Sequence, residues 1–228
     1  GGHEAVLYFR PRAGRDTEEF YADARYGELW VGVRPSLEEV EAELELICRH
    51  IDELKDAISK DVGTIGLRVV RDADPEITAM VDEARSQVEQ GESAAALESD
   101  EDLAVALSEM RLVKDEWEIA QMRLACAATA EGFAAIARSL PDAVAKGRGE
   151  RWVEGQFGLV ARHSGNGVGY ESIAASGDPA CTLHWIRNDG EVRDCDLLLV
   201  DAGVEVDSLY TADVTRSMPV NGTFSVAQ

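Results

Sequence analysis

The sequence predicts a mixed α/β (α+β) fold, for three reasons. Strand-like and helix-like stretches alternate over the N-terminal part of the chain, as they do in α/β domains. Two long stretches then carry apolar residues at helical spacing, over about 115–140 and 149–163. Beyond residue 170, strand-forming runs are separated by Gly, Pro and Asn.

Composition excludes several classes of protein. The 228 residues are 45% hydrophobic and 29% charged, which is the balance of a folded globular protein. No apolar run has the length of a membrane span, and a formal net charge of −22 argues against nucleic acid or a membrane surface as partner. The four cysteines form no CxxC pair and the N-terminus has no signal-peptide pattern, so we expect no structural zinc and a cytoplasmic location.

The first elements are a short strand and a capped helix. Residues 5–9 predict the strand. Ser36, followed three residues later by Glu39, predicts the capping box of a helix. The apolar stripe of this helix is expected to run on through Ile47 and Ile51.

The middle of the chain predicts one strand and two helices. The strand is expected at 64–70 and the first helix at 75–90. The acidic run 98–102 predicts a solvated loop near a domain boundary. The long helix that begins near residue 115 is expected to end at Pro141, because proline disfavours helix in the residue before it.

After the helix over 149–163, we expect a series of strands, at 170–176, 181–186, 197–206 and 210–218. His184 lies in the second of them, between a leucine and a tryptophan. A histidine in that setting fits two roles, a hydrogen-bonded core residue or a catalytic group.

The last two strands predict a hairpin that carries two aspartates. Asp201 follows a continuous apolar run, and a turn centred on Asp207 would put it directly opposite Asp213. Their Cβ atoms would then lie about 4.5–5.5 Å apart, where like charges repel. A cation between them removes that repulsion, and facing carboxylates can bridge two metals. The alternative is that Asp201 ends its strand and Asp213 is a solvated edge residue.

These residues resemble a known family. Asp201-Ala-Gly and Asp213-Val-Thr-Arg-Ser-Met-Pro are similar to the metal-binding hairpin of the pita-bread metallopeptidases (peptidase M24). Within them the similarity is greatest to the Xaa-Pro aminopeptidases (aminopeptidase P) and prolidase. One residue more separates the two aspartates than is usual in the family, which a longer turn or a β-bulge would absorb. Residues 110–119 resemble the first helix of the catalytic domain.

The resemblance implies two domains. Residues 1–108 resemble part of a creatinase-like N-terminal domain, and 109–228 the first half of a pita-bread catalytic domain. In the family, a stretch similar to Glu28-Leu-Trp-Val-Gly carries a tryptophan that reaches a neighbouring subunit's active site in tetrameric members. For Trp30 we expect the commoner outcome, a place in the core.

The resemblance also implies the function. Asp201 and Asp213 would be the first two ligands of a dinuclear centre, usually Mn²⁺, with Co²⁺ or Zn²⁺ as alternatives. His184 would contact the substrate and the tetrahedral intermediate. The protein would be a metalloaminopeptidase that releases the N-terminal residue from peptides with proline in the second position, and a homo-oligomer, dimer or tetramer.

Two other readings remain open, prolidase and a catalytically dead pita-bread module that binds proteins. The family's other ligands, one His and two Glu, would lie beyond residue 228. We therefore expect this chain to be a fragment that binds Mn²⁺ weakly and hydrolyses no peptide by itself, because metal affinity depends on the number of ligands.

Overall fold

The computed structural model describes residues 4–60, 62, 64–87 and 94–226. The chain divides into two compact units, 1–112 and 113–228. None of the helices in the described part of the chain is long and apolar enough to cross a membrane.

Over its described residues, the first unit is mainly helical and forms one small sheet. Strands β1 (Val6–Phe9) and β2 (Ile47–His50) pair in parallel, from Val6 opposite Ile47 to Phe9 opposite His50. The helices are α1 (Glu18–Ala22), α2 (Glu28–Val31), α3 (Leu37–Leu44), α4 (Leu54–Ser59), α5 (Pro75–Ser86) and α6 (Ala94–Leu112), with a 3₁₀ turn at Ile51–Glu53.

Helix α3 begins as predicted and ends earlier. The Ser36 hydroxyl accepts a hydrogen bond from the Glu39 amide, and the Glu39 carboxylate accepts one from the Ser36 amide, so the capping box is confirmed. Glu45 then takes a left-handed conformation with φ of 55°, which ends the helix. The predicted continuation of the apolar stripe is wrong, because Ile47 lies in β2 and Ile51 in the 3₁₀ turn.

The predicted strand at 64–70 is also wrong. The segment forms only an isolated bridge, between Val62 and Ile65. Its backbone groups bond to side chains instead: the Val69 amide donates to the Asp100 carboxylate at 3.0 Å. The Leu67 carbonyl likewise accepts a hydrogen bond from the Arg85 guanidinium at 2.6 Å, so these backbone groups are paired without a neighbouring strand.

The acidic run 98–102 lies inside α6 and is not a loop. Asp100 is only 2% exposed and accepts two hydrogen bonds from the Arg85 guanidinium, at 2.7 and 2.9 Å. Arg71 donates a third at 2.9 Å, so the carboxylate is fully paired. These bonds hold the pKa of Asp100 at about 2, with the Arg85 bond as the largest cause.

Trp30 lies on the surface, and the expectation of a core tryptophan is wrong. Its side chain is 61% exposed, and its indole N–H donates to the Tyr21 carbonyl at 2.8 Å. That bond satisfies the only polar group of the ring, and no residue of α2 is buried.

The second unit packs two helices against small antiparallel sheets. Helices α7 (Glu116–Lys146) and α8 (Gly149–Ser164) precede strands β3 (Gly167–Val168), β4 (Ile173–Ser176), β5 (Leu197–Ala202), β6 (Val204–Glu205) and β7 (Val214–Pro219). The larger sheet has the order β4–β5–β7, and β3 pairs with β6. The core between helices and sheet includes Ile136, Leu140, Val153, Phe157, Leu198, Val200 and Val204.

Helix α7 continues past the proline that was expected to end it. Pro141 lies within the helix, which ends only at Lys146, before Gly147. Both Leu140 and Ala143 are buried in the core of the unit. Packing on both sides of Pro141 therefore outweighs the hydrogen bond that proline cannot donate.

The predicted strand at 181–186 is absent, and His184 lies in a turn. A 3₁₀ turn, Asp178–Cys181, follows β4, and the chain then turns twice before residue 188. The outer edge of β4 is occupied by two buried side chains, Glu150 and Asn188, which bond to its backbone. With that edge filled, the following segment does not pair with β4.

Candidate metal centre

The β5–β7 hairpin brings Asp201 and Asp213 onto one face of the sheet. Asp201 is paired with Thr215 and Ala202 with Val214. The same register continues to the bridge between Glu205 and Thr211. Asp213 therefore lies opposite Gly203 and diagonal to Asp201. The prediction that Asp213 lies directly opposite Asp201 is wrong by two residues.

The shift arises in the turn, which is centred on Ser208 rather than on Asp207. The Val206 amide donates to the Tyr210 carbonyl at 3.0 Å, and the Leu209 amide to the Val206 carbonyl at 2.8 Å. Leu209 is left-handed, with φ of 67°. This is a three-residue hairpin loop that ends in a left-handed residue.

Tyr170 joins the two carboxylates. Its hydroxyl oxygen lies 2.5 Å from Oδ1 of Asp201 and 3.0 Å from Oδ1 of Asp213. The two carboxylate oxygens can therefore be no farther apart than the sum of those distances. The Thr215 hydroxyl donates to Oδ2 of Asp201 at 2.5 Å, so that carboxylate is held at both of its oxygens.

Gly203 makes this arrangement sterically possible. A Cβ built on Gly203 would collide with the carbonyl of Ala212 and would lie 3.2 Å from the ring of Tyr170. On the opposite face, the buried side chains of Val200 and Ala202 join the core. The alternation along β5 thus separates a core face from a face that carries the aspartates.

The electrostatics of this face favour a cation. Burial, together with the hydrogen bonds to Asp201 and Asp213, raises the pKa of Tyr170 above its ordinary value. One hydroxyl proton can serve only one carboxylate at a time, so the negative charge of the pair is not neutralised by Tyr170. The face is open, since Asp213 and Thr215 are exposed.

The donor set fits part of a metal centre. Carboxylate oxygens are hard donors, suited to Mn²⁺ and similar ions. Among the described residues, however, no group of three or more His, Cys, Asp or Glu side chains is placed to hold a metal. Asp201 and Asp213 would thus be two ligands of a centre that needs others.

His184 is not brought to the aspartates by any contact that the described residues make. The residue is exposed in its turn, and its carbonyl accepts a hydrogen bond from the Ile186 amide at 3.0 Å. The predicted strand position of His184 is therefore wrong, and its exposure rules out the alternative of a core histidine. Its catalytic role stays a prediction.

Two residues of this site were not anticipated from the sequence. Tyr170 precedes β4, and β4 pairs with β5 so that Ile173 lies opposite Asp201. A sequence-based prediction that β4 pairs with β5 would have placed Tyr170 near the hairpin. The position of Thr215, two residues after Asp213, would have indicated a hydroxyl on the same face.

Comparisons with known proteins agree with this geometry. The profile of metallopeptidase family M24 matches residues 120–228. Xaa-Pro aminopeptidase 2 of Streptomyces coelicolor is 45% identical over 230 residues, which cover 100% of this chain and 45% of that protein. Xaa-Pro aminopeptidase 1 of the same organism is 45% identical over 227 residues, covering 100% of this chain and 43% of that protein.

A solved structure shares the fold. The low-pH form of aminopeptidase P from Escherichia coli superimposes with a TM-score of 0.76 at 26% identity, over 97% of this chain and 48% of that chain. The predicted α/β class and its pita-bread half are thereby confirmed. The chain spans about half the length of the relatives that it matches.

Proposed function

Because residues 120–228 belong to metallopeptidase family M24, we propose that the whole protein is a metalloaminopeptidase that releases the N-terminal residue of peptides with proline in the second position. The observation that carries the proposal is the meeting of Asp201 and Asp213 at the Tyr170 hydroxyl. The similarity to Streptomyces proteins named Xaa-Pro aminopeptidase supports the preference for proline.

In this proposal Asp201 and Asp213 hold two divalent cations, Mn²⁺ or alternatively Co²⁺ or Zn²⁺, together with ligands from the rest of the protein. Such cations, when bound, supply an activated water and polarise the scissile carbonyl. Tyr170 and Thr215 orient the carboxylates by donating hydrogen bonds to them. The all-oxygen donor pair favours Mn²⁺ over softer ions.

His184 donates a hydrogen bond or a proton to the tetrahedral intermediate. An imidazole can both donate and accept a proton, which suits a group that assists peptide cleavage. The exposure of His184 supports the role, because its side chain is accessible to a bound peptide.

We also propose a cytoplasmic, homo-oligomeric protein, either a dimer or a tetramer. All four cysteines are free, which suits a reducing compartment. Exposed apolar side chains in and beside α2 would be covered by a second copy; they are Leu29, Trp30, Val31 and Val33.

The test is an assay of the full-length protein with Mn²⁺. We expect release of the first residue from an Xaa-Pro-Xaa tripeptide, little release from the matching Xaa-Ala-Xaa tripeptide, and loss of both with a chelator. Cleavage of Xaa-Pro dipeptides alone would indicate prolidase. Binding of peptide without cleavage would indicate a dead pita-bread module, and equal cleavage of both tripeptides would contradict the preference for proline.

A further inference from the structure

The segment that carries His184 is fastened by two buried polar side chains. We call this segment, residues 177–190, the His184 loop. It leaves β4 through the 3₁₀ turn and contains no strand. Glu150 of α8 and Asn188 of the loop are both fully buried beside it.

The Glu150 carboxylate binds the loop at two points and the end of β4 at a third. It accepts hydrogen bonds from the Ser176 amide at 2.9 Å, the Trp185 indole N–H at 2.8 Å and the Gly190 amide at 2.7 Å. These donors lie just before the loop, at its centre and at its end. A Cβ on Gly190 would meet the carboxylate at 2.7 Å, so the close approach requires glycine there.

Asn188 completes the attachment. Its side-chain carbonyl accepts from the Ala174 amide, and its amide group donates to the Ser172 carbonyl, both at 2.9 Å. Asn188 adopts a left-handed φ of 45°, which an asparagine tolerates better than most residues. One side chain thus bonds to β4 as a neighbouring strand would.

The indole bond has a consequence for the next residue. Trp185 follows His184 directly; its indole N–H donates to Glu150, and the Arg187 guanidinium lies 4.3 Å from the ring centroid. With the neighbouring side chain held, the backbone at His184 has little freedom. The His184 side chain is therefore exposed, while the backbone that carries it is held in place.

We propose that Glu150 is a positioning residue: through Trp185 it fixes the His184 loop and so sets where the His184 imidazole stands during peptide cleavage. The proposal rests on the proposed function for the role of His184. Burying a carboxylate is costly unless hydrogen bonds compensate its charge. Three converging N–H groups explain why an acceptor is present.

Three variants of the full-length protein test the proposal. Glu150→Gln keeps the shape of the side chain but turns an N–H₂ group toward N–H donors, so at least one bond is lost. Trp185→Phe removes only the indole bond and keeps a ring. Glu154→Gln, an exposed residue one turn along α8, is the matched control.

The first readout is hydrogen exchange, which does not depend on activity. We expect exchange of amides in the His184 loop to accelerate by about tenfold or more in Glu150→Gln and Trp185→Phe, with Glu154→Gln unchanged. The expected change is confined to the loop, whereas general destabilisation would also accelerate exchange in α7. Unchanged exchange in the loop would overturn the proposal even if the protein cleaved no peptide.

The second readout is a kinetic cycle with His184→Ala. We expect Glu150→Gln and Trp185→Phe each to lower kcat about 10- to 100-fold, with KM and bound Mn²⁺ little changed. In the His184→Ala background the same changes should have almost no further effect, because the group that they position is gone. A full loss in that background would show a role independent of His184 and overturn the proposal. An inactive wild-type protein would instead refute the proposed function, and the exchange result would still decide whether Glu150 holds the loop.

Discussion

The hydroxyl of Tyr170 lies 2.5 Å from Oδ1 of Asp201 and donates its only proton to a carboxylate pair that carries two negative charges. A cation bound to the pair would compensate the same charges that this hydrogen bond partly compensates. Tyr170 should thus contribute most to the stability of the folded protein when no metal is bound.

For Tyr170→Phe we expect a free energy of unfolding lower by about 1.5–3 kcal/mol in a chelator, the range for hydrogen bonds to charged groups. With saturating Mn²⁺ the loss should shrink. Urea denaturation of the full-length protein under both conditions measures it. Tyr21→Phe, whose ring is 54% exposed, is the control and should be neutral. An equal loss with and without Mn²⁺ would show that Tyr170 does not share its partners with a cation.

Gly203 gives a second prediction. Gly203→Ala should destabilise the protein by about 1–3 kcal/mol, because the added Cβ collides with the Ala212 carbonyl and the backbone must shift. Gly155→Ala is the opposite case, since a Cβ there meets nothing within 4 Å inside α8. It should stabilise by about 0.5–1 kcal/mol. Thermal unfolding compares them, and a neutral Gly203→Ala would refute the close packing inferred for the hairpin.

Local signals in the sequence were sufficient for several elements. The capping box at Ser36, the helix over 149–163 and the hairpin with Asp201 and Asp213 on one face all depend on short-range chemistry, and the structure has each of them. The predicted register of the hairpin was wrong because its turn contains a left-handed residue, Leu209. A glycine or asparagine at that position would have indicated such a turn, but the sequence has neither there.

Two of the other errors have a related cause. Residues 64–70 and 181–186 have strand-like composition, but side chains distant in sequence occupy the backbone groups that a strand pairing would use. Asp100 bonds to the Val69 amide of the first segment, and Glu150 occupies the edge of β4 that precedes the second. Such side-chain-to-backbone bonds have no periodicity, so a pattern of apolar residues cannot predict them.

Asp100 gives a pH prediction. Its pKa is lowered to about 2, chiefly by Arg85, so its contribution to stability is complete above its ordinary pKa of 3.8 and is lost as the pH falls through 2. The shift corresponds to about 2 kcal/mol. Between pH 5 and pH 2, the protection of α6 amides, expressed relative to the intrinsic exchange rate at each pH, should fall more in the wild type than in Asp100→Asn.

Asp102→Asn is the control for that comparison, because Asp102 is an exposed residue of the same helix. This variant should keep the acid sensitivity of the wild type. If Asp100→Asn had the same pH dependence as the wild type, the acid sensitivity would come from other groups.

His184 gives a prediction about catalysis. In the full-length protein, His184→Ala should lower kcat on an Xaa-Pro peptide by about 10²–10⁴-fold, because under the proposed function it removes a proton donor to the intermediate. Bound Mn²⁺ should be unchanged. His163→Ala, at the exposed end of α8, should retain activity. Loss of Mn²⁺ from His184→Ala would make His184 a ligand rather than a catalytic group.

The most direct test of this account is the Mn²⁺ content of Asp213→Asn. The full-length wild type and the control Asp207→Asn, which changes an exposed residue of the same hairpin turn, should each bind two Mn²⁺ per chain. Asp213→Asn should lose two-metal binding, because a neutral amide removes a negative charge and bridges two cations poorly. Equilibrium dialysis followed by elemental analysis measures all three proteins. Asp213→Asn with the Mn²⁺ content and affinity of the wild type would contradict the assignment of Asp201 and Asp213 as a metal-binding pair.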